Sequence, residues 1–138
     1  MEHRLNTPSL ELELRRISLG SSCIGNERVR IDCDGRVGFS RNERECAPDE
    51  AWTGSWQQLG VLDSLELREL GEAIRRSGVL DLPALTIDES VEGGKRVELD
   101  LRIGPDQRHL AVQNAPCPAF EAIVQRVLQA VADLRYRP

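Results

Sequence analysis

A chain of 138 residues suits one domain, and at that length folding buries roughly 68–70% of the surface exposed by the unfolded chain. Aromatics make up only 4%, so the core must come from Leu, Val, Ile and Ala, while 30% of residues are charged and the net charge is −5. An acidic balance with no Lys/Arg cluster argues against non-specific nucleic-acid binding. No run approaches the ~20 apolar residues that cross a bilayer as a helix.

Residues 1–8 lack the apolar segment of a secretory signal and read as a disordered tail ahead of a single α+β domain over residues 9–138. Leu10, Leu12 and Leu14 alternate with Glu11, Glu13 and Arg15, the period of a half-buried strand. Ser18 to Asn26, with Gly20 and Gly25, reads as a connecting loop. Val29, Ile31 and Cys33 then alternate with Arg28, Arg30 and Asp32, and Val37 and Phe39 continue beyond Asp34-Gly35. Asp-Gly between alternating runs predicts a hairpin with a type I′ turn, positive in φ at both central positions. In that register Cys33 turns inward as a small hydrophobe.

Residues 40–60 are polar and carry both tryptophans, Trp52 and Trp56. Spaced four apart, they can share a strand face or cap the core beneath a loop. Cover for the core is expected, since isolated aromatics usually serve packing, with an exposed aromatic binding patch as the alternative. A helix is predicted from Leu65 to Ser77. Asp63 or Ser64 can cap it, and Asp63-x-x-Glu66 has the pattern of a capping box. Leu67, Leu70, Ala73 and Ile74 make the apolar stripe, and Gly78 and Pro83 follow the end. A second hairpin pairs Arg96–Ile103 with Arg108–Gln113 around Gly104-Pro105-Asp106-Gln107. A last helix, Pro118–Leu134, repeats apolar residues from Phe120 to Leu134 at i, i+3/i+4. The chain thus runs through a ββα–ββα pseudo-repeat. The expected fold is a mainly antiparallel sheet with two amphipathic helices packed on one face.

Chemistry is harder to find. His3 lies in the tail, and His109 alternates with Leu110 and Val112 on the polar face of its strand. No Ser or Cys stands in a nucleophile motif. Cys23, Cys33, Cys46 and Cys117 lack the paired spacing of a zinc site and, without a signal segment, are expected as free thiols of a cytoplasmic protein. Asp32, Asp34, Glu43 and Glu45 do not follow the calcium-loop pattern, and the glycines form no phosphate-binding loop. No catalytic residue, metal or cofactor is therefore expected. The alternative is a small enzyme or metal-binding domain using Cys23, Cys33, Asp32 and His109. A purely structural subunit is a third reading.

Ser22-Cys23-Ile24-Gly25, the strand into Asp34-Gly35-Arg36-Val37, and Leu67 through Gly78-Val79-Leu80-Asp81-Leu82-Pro83 resemble a family of small bacterial domains of unknown function. The resemblance covers residues 10–132 and departs at Asn26-Glu27, where the family often carries Cys-Pro. A weaker resemblance is to inhibitors of protealysin-type metallopeptidases, with Gly20 to Gly25 standing in for their glycine-rich loop and residues 37–62 as an insertion. It implies an inhibitor whose 18–26 loop enters a partner enzyme. The sequence therefore points to a non-enzymatic domain that binds another protein, neither nucleic acid nor membrane, through Ser21, Ser22, Cys23, Ile24, Trp52 and Trp56.

Overall fold

Alternating leucines put the first strand, β1 (Leu10–Ser18), at the centre of the sheet. The computed structural model describes residues 9–137; the expected tail, His3 and the last residue lie outside them. The further strands are β2 (Glu27–Ile31), β3 (Arg36–Arg41), β4 (Gln57–Val61), β5 (Leu85–Ile87), β6 (Lys95–Ile103) and β7 (Asp106–Gln113). They form one sheet in the order β4-β3-β2-β1-β6-β7-β5. Every neighbouring pair is antiparallel except β5 with β7. The two predicted hairpins therefore stand on either side of β1, and the sheet is mixed by virtue of one short edge strand.

The helices are α1 (Ser64–Ser77) and α2 (Pro118–Arg135). Leu70 and Ile74 of α1, and Phe120, Ile123, Val124, Val127, Val131 and Leu134 of α2, join the inward residues of the strands in one core. That core includes Leu10, Leu12, Leu14, Val29, Ile31, Val37, Leu99, Leu101, Ile103 and Leu110. The fold is α+β, with both helices on one face. At the start of α1 the Asp63 side chain accepts from the Glu66 N–H at 2.8 Å, and the Glu66 side chain accepts from the Asp63 N–H at 3.0 Å. Gly78, at φ 86°, ends the helix in the left-handed conformation that glycine adopts without strain.

The first hairpin departs from expectation. β2 stops at Ile31, and Asp32 to Gly35 form the turn. Only Gly35 among them has positive φ, so a type I′ turn is excluded. The Asp32 carboxylate organises the turn instead, accepting from the N–H groups of Asp34 at 2.9 Å and Arg36 at 3.0 Å. Cys33, expected inside, is therefore exposed in the turn. Gly35 is doubly constrained: its φ is 86°, and a Cβ there would lie 2.3 Å from the Leu62 carbonyl oxygen. The Gly35 carbonyl in turn accepts from the Leu62 N–H at 2.8 Å, tying the hairpin to the entry of α1.

Candidate binding surfaces

The loop after β1 is built around one buried amide. Asn42, fully buried, donates through Nδ2 to the carbonyls of Cys23 at 3.1 Å and Ala51 at 3.0 Å. Its Oδ1 accepts from the N–H groups of Thr53 at 2.8 Å and Gly54 at 3.4 Å. Its backbone pairs with both Gly25 and Asn26. One side chain thus fastens the 18–26 loop to the 42–54 segment. A disulfide between Cys23 and Cys46 joins the same two stretches covalently. The expectation of four free thiols is corrected accordingly: Cys33 and Cys117 are free, the first exposed and the second buried. The 23-residue separation of Cys23 and Cys46 carries no pairing signal in sequence; the close approach arises from the Asn42 network.

This stapled loop forms the lip of a groove. A cavity of about 730 Å³ opens between the loop, the adjoining ends of β1 and β6, and the first turns of α2. Its floor is apolar, with Val97, Val112, Phe120 and Val124, and Ile24, 49% exposed, overhangs it. Arg16, Arg41 and Lys95 stand at the rim. Arg16 and Arg41 share one carboxylate, Glu27, at 2.5 and 3.4 Å. A smaller recess of about 430 Å³ shares Arg16, Glu27 and Arg41 and continues along α2 to Arg135. Arg135 stacks on Phe39, with its guanidinium 4.4 Å from the ring centroid.

Among the described residues no helix covers the other face of the sheet. Strand register sets two polar rows across it, Arg30–Glu13–Asp100–His109 and Arg28–Arg15–Glu98, the second ending at the buried Ala111. Arg15 is the hub, bonding Glu98 and Glu13 at 2.8 Å and Asp100 at 2.9 Å. Arg96 takes the second oxygen of Glu98 at 2.7 Å, and His109 hydrogen-bonds Asp100. Burial alone would raise the carboxyls of Glu98 and Asp100. The guanidiniums outweigh it for Glu98, and His109 with Arg15 outweighs it for Asp100, so both lie below the usual carboxylate range. Burial likewise disfavours the Arg15 cation, but its three carboxylate partners push its pKa up.

Trp52 and Trp56 lie on this outer face, which corrects their expected place over the core. The Arg28 guanidinium stands 4.7 Å from the Trp52 ring and 4.5 Å from Trp56, and Arg30 stands 4.2 Å from Trp56. Gly38, opposite Arg30 in register, leaves room for the indole; a Cβ there would meet Trp56 at 3.2 Å. Ser40 fastens the same segment by donating to the Gly54 carbonyl at 2.8 Å.

The six residues expected to contact a partner thus divide. Ser21, Ser22, Cys23 and Ile24 share the stapled loop, with Ser22 donating to Glu45 at 2.9 Å and accepting from the Ile24 N–H at 3.1 Å. Trp52 and Trp56 belong to the other surface. The alternative set is also dispersed. Cys23 is disulfide-bonded, Asp32 and Cys33 sit in the turn beyond the other end of β2, and His109 lies three strands from β2. At about 4.8 Å per strand that is roughly 14 Å. Among the described residues no cluster of three or more His, Cys, Asp or Glu could hold a metal, and no helix is long and apolar enough to cross a membrane. Arg16, Arg41 and Lys95 escaped the sequence reading because their convergence depends on how β1, β3 and β6 end around α2. No protein-family model matches the chain, and no curated protein matches it.

Proposed function

We propose that this is a non-catalytic domain that binds another protein, taking an extended segment of that partner into the groove beside α2. The observation that carries the reading is an apolar-floored groove of about 730 Å³ whose lip, Ile24, belongs to a covalently stapled loop. A volume in that range suits a few side chains rather than a flat contact. A fixed loop needs little ordering on association, which favours affinity. The occupant that fits is an apolar side chain over Val97, Val112 and Phe120 with a neighbouring carboxylate directed at Lys95, which has no carboxylate partner among the described residues.

In its narrower form the domain is an inhibitor, whose 18–26 loop occupies the partner's cleft while the groove holds a flanking segment. The disulfide favours an oxidising compartment over the cytoplasmic location expected from the sequence. The test is capture from the native host, with mass spectrometry, by the wild type and by Ile24→Glu and Lys95→Glu. One partner should be kept by the wild type and lost by both variants at unchanged thermal midpoints. Equal retention by both variants removes the groove from the reading. Unchanged hydrolysis by a thermolysin-like peptidase at micromolar domain removes inhibition of that class.

A further inference from the structure

We infer that the open face of the sheet carries a second binding surface, formed by Arg28, Arg30, Trp52 and Trp56, which docks an acidic extended segment of a protein partner. The charges of this face are unevenly spent. Glu13, Glu98 and Asp100 are engaged by Arg15, Arg96 and His109. Arg30 stands directly across from Glu13 in register, yet the Glu13 carboxylate turns to Arg15 and Arg30 lies on Trp56 instead. Arg28 reaches the Gly54 carbonyl only at 3.4 Å through Nη2, and its Nε is buried without a hydrogen-bond partner, so the terminal nitrogens are what it can offer a ligand. Neither guanidinium has a carboxylate partner among the described residues, in a chain whose net charge is −5.

Stacking a guanidinium on an indole uses its face and leaves its planar fork of N–H donors for a carboxylate. Tryptophan and arginine are also the residues that most often dominate protein interfaces. Holding the 52–56 segment against the sheet accounts for Arg28, which contacts both indoles. It does not account for Arg30, which is exposed and meets Trp56 alone. Positions two apart on a strand lie roughly 7 Å apart, so acidic residues at alternate positions of an extended peptide match Arg28 and Arg30. A nucleic-acid backbone fits less well, because its charges would continue over Glu13 and Asp100, which extend Arg30's own row onto β1 and β6.

Trp52 and Trp56 are the two tryptophans of the chain, so intrinsic fluorescence reads this surface directly. The experiment titrates the intact protein at low salt with a capped hexapeptide alternating glutamate and threonine, and with its glutamine counterpart. The glutamate peptide should give a saturable emission change, weakened roughly tenfold in Arg30→Gln, the loss of one charge-assisted contact. Arg30→Lys should recover part of that affinity, and Ile24→Glu should leave it unchanged, which separates this surface from the groove. No saturable change at millimolar peptide, an equal response to the glutamine peptide, or full affinity in a folded Arg30→Gln protein would overturn the inference. Tighter binding of a single-stranded oligonucleotide of equal charge would also overturn it, in favour of a nucleic-acid surface.

Discussion

Replacing Asn42 by alanine should be among the most damaging single changes outside the apolar core. The side chain makes three well-formed hydrogen bonds, to the carbonyls of Cys23 and Ala51 and from the N–H of Thr53, at 3.1, 3.0 and 2.8 Å. Alanine keeps the backbone bonds to Gly25 and Asn26, and the Cys23 carbonyl still accepts from the Asn26 N–H at 3.2 Å, but the Ala51 carbonyl and the Thr53 N–H lose the partner they had. An unsatisfied buried group costs about 1–3 kcal/mol. Water can reach part of the loop once the amide is gone, so the lower half of that range applies to each of the two groups, giving roughly 2–4 kcal/mol. For 138 residues, an unfolding entropy of about 2.1 cal/mol/K per residue turns this into a fall in Tm of roughly 7–14 °C. Scanning calorimetry on Asn42→Ala reads it directly. Asn42→Asp, which turns a donor into an acceptor facing two carbonyls, should do no better at neutral pH. An alanine variant melting within about 3 °C of the wild type would refute the assignment of Asn42 as the hub of the two loops.

The disulfide should contribute about 3 kcal/mol on the loop-entropy relation for a separation of 23 residues. Cys23→Ser/Cys46→Ser should therefore melt about 10 °C lower. The unfolded, unreduced protein should titrate two thiols rather than four. Gly35→Ala should cost more than Gly78→Ala, since both have φ 86° but only at Gly35 would a Cβ strike backbone. Urea midpoints in the reverse order would contradict that. Glu98 and Asp100 have depressed folded pKa values, so the stability they contribute is present above their unfolded values, near pH 4, and is lost as pH falls through the folded ones. Urea midpoints between pH 7 and 3 should drop for the wild type and drop less for Glu98→Gln. Parallel curves would show that the Arg15 network adds nothing measurable.

Wherever burial is one-sided and regular, sequence pattern anticipated structure. The leucines of β1, the capping box at Asp63 and the stripe of α2 each recur at the period their element needs. The pattern fell short where pairing is decided by distant residues. β5 is three residues long and parallel, too short to show a period. Cys33 continued the alternation of β2, yet Asp32 had already diverted the chain into its turn. For the candidate surfaces, the 18–26 loop was visible as an irregular stretch, but the Asn42 amide that shapes it was not. Trp52 and Trp56 were conspicuous as tryptophans, while their partners Arg28 and Arg30 resembled any solvated strand face. A cation–π contact leaves no spacing rule in sequence, because it joins a strand to a loop more than 20 residues away.

The central place of β1 also governs how the chain leaves the ribosome. One side of its ladder is closed by β2, but the other waits for β6, whose first residue, Lys95, follows Ser18 by roughly 80 positions. At about 5–20 residues per second, that side stays unpaired for about 4–16 s of synthesis. An open edge beside three alternating leucines is a template for pairing with other nascent chains. Crowded polysomes and slow codons between the two strands should therefore raise aggregation without changing the finished fold.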